Sequence, residues 1–294
     1  MHTTIATVLG KKRPVILDGA WGTQLQSQGL APGESPDKWN LEYPDRIERV
    51  ARSYVDAGSQ IILTNTFGAN RLMLEKHGIA DQCEAINRAG VEISRRAVAG
   101  TESLVFASVG PSGRMLLMKQ TTPEELETVF TQQCEAIAAA GADGIVLETF
   151  CDIAEILCAI RAAKKTGLPV VGSLVFDTGK QKDRTMMGQT PEQVAKALEE
   201  AGVDVLASNC GQGIDGFLKI AQRYKAASTL PVWIKGNAGL PIMEGDSIHY
   251  PFGPKEFGEY VIPLLEVGID FLGGCCGTTP AHITEIKRLL IPSA

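Results

Sequence analysis

At 294 residues, 44% hydrophobic and 21% charged, the chain has the make-up of a folded globular protein with a sizeable core. A net charge of −6, with no basic block beyond Lys11-Lys12-Arg13, argues against a nucleic-acid or membrane surface, so neither partner is expected. No stretch approaches the roughly 18 apolar residues of a membrane span. The short apolar run Ile5 to Leu9 has its basic residues after it rather than before it, so the expected location is cytoplasmic. The seven cysteines form an odd set without framework spacing, which favours reduced thiols.

In chain order, β-rich runs alternate with amphipathic helical ones. Val15 to Ala20 precedes a helix near 44–57, Ile61 to Phe67 one near 81–99, Leu104 to Gly110 one near 122–140, and Gly144 to Phe150 one near 152–166. Pro169 to Phe176 then leads to 190–201, Asp204 to Cys210 to 214–228, Pro231 to Asn237 to 253–267, and Asp270 to Cys275 to 279–290. Thr122-Pro123-Glu124-Glu125 and Thr190-Pro191-Glu192-Gln193 read as capping boxes with Pro at the first helical position, and Thr279-Pro280 repeats the entry without the acid. Eight strand-then-helix units with continuous apolar strands predict an α/β fold, a single (βα)8 barrel over 1–294, with an open doubly wound sheet as runner-up.

Loop lengths say which end works. Helix-to-strand turns such as Ala57-Gly58-Ser59, Ala140-Gly141-Ala142, Gly167-Leu168 and Val267-Gly268-Ile269 are terse. The strand-to-helix connections Gly22 to Tyr43, Gly68 to Ala80, Asp177 to Gln189 and Ala238 to Phe252 are long, which is the habit of functional loops at the C-terminal face of a barrel.

Two of the strand ends carry thiols: Ser208-Asn209-Cys210-Gly211, and Gly273-Gly274-Cys275-Cys276-Gly277-Thr278-Thr279-Pro280. Neighbouring strand side chains point to opposite faces, so Cys275 and Cys276 share a ligand only if the backbone leaves the pleat, which the flanking glycines permit. Three thiolates fill three positions of a tetrahedral zinc site, and the open fourth marks a catalytic zinc that takes a substrate thiol. Packing of Cys210 and a vicinal disulfide at Cys275-Cys276 are the competing readings.

The other strand ends offer Asp18, Thr64, Asn65, Ser108, Glu148, Ser173 and Asn237. Singly, Asp18 reads equally well as a turn former and Asn65 as a satisfied core amide. Together with the thiols they suit a small amino acid bearing a thiol, its ammonium on the carboxylates and its carboxylate on backbone N–H groups or Asn. Cys83, Cys134 and Cys158 fall on buried helix stripes, while Cys151 lies close enough to Glu148 to line the mouth. His2, His77, His249 and His282 do not cluster in sequence. His249 sits in the seventh top loop, where a surface or capping role fits better than metal binding.

The pattern resembles the zinc-dependent homocysteine S-methyltransferases. The residues that carry it are Ile16-Leu17-Asp18-Gly19-Ala20 with Gly22-Thr23, Asp56-Ala57-Gly58 leading to Thr64-Asn65-Thr66-Phe67-Gly68-Ala69-Asn70, Glu148-Thr149-Phe150, Asn209-Cys210-Gly211, Asn237-Ala238-Gly239-Leu240-Pro241 and Gly273-Gly274-Cys275-Cys276-Gly277. The resemblance implies a (βα)8 barrel with zinc on Cys210, Cys275 and Cys276, and homocysteine held through its amino group by Asp18 and Glu148. Betaine-using members are similar at Trp39 but carry tyrosines where this chain has Gly68 and Thr149, so the aromatic cage a quaternary ammonium needs is incomplete. The chain looks closer to the homocysteine-binding module of cobalamin-dependent methionine synthase. A methylated corrinoid protein is therefore the expected donor, delivered in trans, with a small methyl-onium compound as the alternative and a non-catalytic thiol- and zinc-binding scaffold as a further one.

Overall fold

The computed structural model describes residues 1–11, 13–244 and 247–290. Helix α1 (Thr3–Lys11) leads into strand β1 (Val15–Ile16), the short helices α2 (Gly22–Ser27) and α3 (Trp39–Glu42), and the long α4 (Pro44–Ala57). Next come β2 (Ile61–Leu63), α5 (Arg71–Glu75), α6 (Cys83–Ala97), β3 (Leu104–Val109), α7 (Pro123–Ala139), β4 (Gly144–Phe150) and α8 (Ile153–Lys164). The chain continues through β5 (Val170–Leu174), α9 (Pro191–Glu200), β6 (Val205–Gly213), α10 (Phe217–Ala227) and β7 (Val232–Asn237). A hairpin of β8 (Ile242–Glu244) and β9 (Ser247–His249) interrupts the alternation before α11 (Pro254–Val267), β10 (Phe271–Gly274) and α12 (Pro280–Leu289).

Eight parallel strands form one sheet in the order β1-β10-β7-β6-β5-β4-β3-β2, a nearly closed (βα)8 barrel as the alternation predicts. The β1/β2 seam is bridged by Gln60: its N–H donates to Ile16 O at 2.7 Å and its side-chain oxygen accepts the Ile16 N–H at 3.0 Å. Inside, Trp233 stacks near Phe106 (centroids 6.1 Å apart) and Phe271 (5.1 Å), with Val146, Val171 and Val205 completing the layer. Outside, the helices bury Tyr54, Phe130, Phe217 and Phe257 against the opposite faces of the strands.

The bottom of the barrel is built by a repeated Gly-x-Asp. Gly141, Gly202 and Gly268 lie in the left-handed region (φ 87°, 79° and 74°) and end their helices. Two residues on, Asp143, Asp204 and Asp270 accept the N–H of Val105, Val170 and Val232 in the adjacent strand at 2.8, 3.1 and 2.9 Å. Each acid thus locks a strand to its neighbour at the starting edge.

Strand lengths differ from the sequence reading because the ladder ends where loops begin. β1 stops at Ile16 and β2 at Leu63, short of Ala20 and Phe67, whereas β6 runs past Cys210 to Gly213. The main helices lie within three residues of expectation at either end, since their caps are explicit. Thr190 and Gln193 form a full capping box. At Thr122 the box is only half made: its hydroxyl accepts from Glu125 N, but the Glu125 carboxylate turns to Thr121 instead. The box at Thr279 is completed by His282, whose Nδ1 accepts the Thr279 N–H at 3.1 Å.

Helix α1, absent from the sequence reading, places Ile5 and Leu9 in the same interior cluster as Val15, Leu17 and Phe271, closing the barrel floor. Ile5→Ala is therefore expected to cost about 2–5 kcal/mol through the cavity it leaves. Urea denaturation of the two proteins measures it, and a loss near zero would show that α1 does not seal the core.

Candidate metal centre

Three thiols meet at the top of the barrel because the chain leaves regular strand geometry at both of their strands. β10 ends at Gly274, and Cys275 and Cys276 stand in the turn that follows. The Cys275 N–H donates to Gly236 O (2.8 Å), the Thr278 hydroxyl donates to Cys275 O (2.7 Å), and the Ala238 N–H donates to Cys276 O (2.9 Å). Gly277 completes the turn at φ 81°, packed against the ring of Tyr250.

On β6 the departure is sharper. Cys210 itself has φ 59°, followed by Gly211 at 74°, within a register shift between Asn209 and Gly213. A non-glycine residue there costs about 1–2 kcal/mol. Asn209 holds the shape: its Oδ1 accepts from Thr149 N (2.9 Å) and Ser173 Oγ (2.6 Å), and its Nδ2 donates to Thr149 Oγ1 (2.7 Å). Thr149 is also left-handed, at φ 63°, so one amide pins two strained residues.

The three Sγ atoms lie within 4.8 Å of one another, and all three cysteines are free. Sulfurs on one tetrahedral zinc, each about 2.3 Å from the metal, stand about 3.8 Å apart, so the cluster fits such an ion with little movement. Beside it, Asn237 Oδ1 is buried without a hydrogen-bond donor, and the Asn237 side chain also hydrogen-bonds Cys210. An orphaned carbonyl oxygen next to three thiols is what a cation would satisfy. Thiol hydrogen bonds from Cys275 and Cys276 favour the thiolate of Cys210 and lower its pKa, while the same sharing holds the other two thiols up.

The thiols form one wall of a cavity of about 410 Å³. Thr64, Asn65, Ser108 and Glu148 line it, whereas Asp18, Ser173 and Asn237 of the same strand-end set are not among its lining residues. Ser108 Oγ donates to Glu148 Oε1 (2.5 Å), and Thr64 Oγ1 accepts the Ser108 N–H (3.1 Å). Glu148 Oε2 has one distant donor, Asn209 Nδ2 at 3.5 Å. Burial raises the pKa of Glu148 to about 7 against the opposing pull of Lys235. Asn65 proves to be a well-satisfied amide, donating to Pro36 O (2.7 Å) and Asn40 Oδ1 (3.0 Å), and so ties the first long loop to the barrel mouth.

Asp18 is fully buried and already engaged. Its Oδ1 accepts from Lys235 Nζ (2.5 Å), and its Oδ2 accepts from Trp21 Nε1 (2.9 Å) and Leu63 N (2.8 Å). Sequence reasoning missed Lys235. The signal was the alternation of β7, where Lys235 shares the inward face of Trp233 and Asn237. It also passed over Trp21, Asp37, His77 and Asn209, all of which line the cavity.

Cys83, Cys134 and Cys158 are buried as expected. Cys151 faces the carbonyl of Thr149 and is not among the cavity residues, and His249 is exposed on β9. Trp39 is buried away from the cavity, its Nε1 donating to Glu34 (2.7 Å) and its ring covered by the Arg46 guanidinium at 5.0 Å. The aromatic rings lining the cavity are those of Trp21 and Phe67.

The sequence profile of homocysteine S-methyltransferases matches residues 15–290. The chain belongs to the homocysteine S-methyltransferase family. It is 30% identical to methionine synthase of Mycobacterium tuberculosis over 97% of this chain and 25% of that protein, and 29% identical to methionine synthase of Mycobacterium leprae over 94% and 24%. It thus spans about a quarter of the length of these curated relatives. The crystal structure of the homocysteine methyltransferase MmuM from Escherichia coli in its metallated form superposes with a TM-score of 0.81 at 25% identity, covering 98% of this chain and all of that one. This member of the family is accordingly built on a (βα)8 barrel, with a cysteine triad able to hold a metal.

Asp37, in the first long loop, gives the site a measurable pH dependence. It is buried against the cavity, accepting from Gly68 N (3.0 Å) and Ser35 Oγ (3.4 Å), and burial lifts its pKa from 3.8 to about 6 despite those donors. Between those values the folded state binds the proton more tightly than the unfolded chain, so ionisation of Asp37 costs stability as pH rises through that window. Asp37→Asn is expected to be about 1–3 kcal/mol more stable than the parent at neutral pH, the gap closing below about pH 4. Denaturant titrations across pH test this; a gap independent of pH would refute it.

Proposed function

We propose that this family member transfers a methyl group to the thiol of homocysteine, giving methionine, with zinc on Cys210, Cys275 and Cys276 and a methylated corrinoid protein as donor. The observation that carries the reading is the convergence of three thiols on the wall of a cavity that also holds a half-buried carboxylate, Glu148. Zinc, when bound, supplies the Lewis acid that strips the thiol proton at neutral pH and makes the acceptor sulfur a nucleophile. Glu148 takes the acceptor's ammonium through Oε2, with Asp18 behind it, while Ser108 and Thr64 fix the carboxylate's orientation and Asn65 holds the loop above. Asn237 stands beside Cys210, where its unpartnered Oδ1 would face a bound cation. The sulfur attacks the methyl in line; the new S–C bond forms as the donor–methyl bond breaks, and the electron pair stays on the donor. The barrel's part is to position that sulfur and keep water away from it.

The donor reading rests on the rim. Large apolar side chains stand exposed on the top loops: Leu117, Met118, Met186, Leu240, Met243 and Ile248. A rim of that kind suits a protein surface better than a small soluble donor. The small-onium reading draws instead on Asp37, a buried carboxylate facing the cavity near Trp21 and Phe67.

Metal analysis should find about one zinc per chain, lost in Cys210→Ser, Cys275→Ser and Cys276→Ser and held less tightly as pH falls, because protons compete for the thiolates. X-ray absorption should show one further sulfur when homocysteine is added, and Glu148→Gln should weaken homocysteine binding about 10- to 100-fold while leaving zinc in place. Full zinc occupancy in Cys275→Ser would contradict the site.

For the donor, turnover with a methylated corrinoid protein, betaine and S-methylmethionine is compared side by side. Leu117→Asp with Met243→Asp should lower the rate from the corrinoid protein about tenfold or more at limiting donor. Efficient turnover with betaine or S-methylmethionine alone would assign the onium donor instead.

A further inference from the structure

Asp18, behind the cavity wall, already faces a cation, and the chain itself supplies it. Lys235 lies on β7 with its side chain 3% exposed, in a barrel interior otherwise packed with Trp233, Phe106 and Phe271. Its Nζ donates to Asp18 Oδ1 at 2.5 Å, the position a bound ammonium would take on that carboxylate. Burial works against its charge, but Asp18 and Glu148 together outweigh that and keep Lys235 an ammonium.

Nothing in the packing calls for this pair. A buried ion pair is on average no more stable than apolar side chains of the same volume. Asp18 has two other donors, the Trp21 indole and the Leu63 N–H, and would be hydrogen-bonded without the lysine. An ammonium carries three N–H donors, of which Asp18 takes one. The Lys235 side chain also borders the cavity that the cysteine triad and Glu148 line.

We propose that Lys235 is the acceptor pocket's built-in cation: it replaces an acceptor ammonium on Asp18 and turns its remaining donors to the acceptor's carboxylate. The pocket then takes ω-thiol carboxylic acids with or without an amino group. The inference rests on the reading that the acceptor's sulfur sits at Cys210, Cys275 and Cys276. Without Lys235, an acceptor lacking the ammonium would bring its carboxylate against Asp18 and Glu148 uncompensated. With it, the charge of Asp18 is neutralised from within, and the acceptor's carboxylate meets a fixed positive partner.

The test uses zinc-loaded protein and three thiols: homocysteine, γ-mercaptobutyrate, which lacks only the ammonium, and homocysteamine, which lacks only the carboxylate. Calorimetry gives the affinities, and X-ray absorption reports whether each sulfur joins the metal. γ-Mercaptobutyrate is expected to bind within about thirtyfold of homocysteine and more tightly than homocysteamine. Lys235→Met should reverse that order. Where the single variant does not fold because the Asp18 charge is left uncompensated, Asp18→Asn with Lys235→Met removes both charges together and, with Glu148 still in place, should likewise favour homocysteamine over γ-mercaptobutyrate. Weaker binding of γ-mercaptobutyrate than that margin, or an unchanged preference in the variant that folds, overturns the assignment while homocysteine binding leaves the main reading intact. γ-Mercaptobutyrate entering the metal shell while homocysteine does not would keep the role of Lys235 and remove homocysteine as acceptor; binding by neither would remove both.

Discussion

The site depends on bringing Cys210 to Cys275 and Cys276 across an intervening strand. β7 lies between β6 and β10 in the sheet, so thiols on regular strand ends would stand two strand spacings apart, roughly 10 Å. They close to within 4.8 Å because Cys210 turns left-handed and the Cys275-Cys276 pair sits in a turn rather than on the ladder. Neither departure is held by the thiols alone. Asn209 fixes the first through Thr149 and Ser173, and the Thr278 hydroxyl and Gly236 carbonyl fix the second.

The same hydrogen bonds join the thiol wall of the cavity to the wall that carries Glu148. Asn209 touches the Thr149 that follows Glu148, Ser108 donates to Glu148, and Ser108 in turn rests on Thr64, which shares a 2.5 Å contact with Thr66. A base of that stiffness keeps the thiol cluster and the Glu148 carboxylate at a fixed separation. Above it the rim is made of long loops that expose Leu117, Met118, Met186 and Leu240.

How much of this the sequence disclosed follows from the kind of signal each residue leaves. Helices were placed closely because Thr190-Pro191, Thr122-Pro123 and the glycines at their ends mark boundaries by local chemistry. The thiol set was legible because cysteines at two strand ends need no geometry to be noticed. Asp18 and Glu148 were legible as acids, but that Asp18 is already paired was not, since its cation comes 217 residues later. Lys235 was missed because a lone lysine in an apolar strand reads as an edge residue until the alternation with Trp233 and Asn237 is followed. Helix α1 was missed because two buried residues, Ile5 and Leu9, give too little periodicity, and its purpose appears only once the barrel has a floor to close. The thrice-repeated Gly-x-Asp was visible in the letters, but its meaning lies in neighbouring strands.

Those repeated acids also separate structure from function at the two ends of the barrel. Asp270 is buried, yet its oxygens meet Arg13 (2.9 Å), Lys225 (3.0 Å) and Val232 N (2.9 Å), and both cations reach solvent, so the charge is matched at little cost. At the top, Asp18 is matched only by a lysine that is itself buried, and among the described residues neither Glu148 nor Asp37 makes an ion pair. Burial lifts the pKa of both unpaired acids. Carboxylates placed where the fold alone would favour apolar side chains are a cost that stability does not explain. The asymmetry sets the two ends apart independently of loop length and of the thiols: acids at the bottom complete the sheet, whereas at the top, among the described residues, Glu148 and Asp37 stand without a cation.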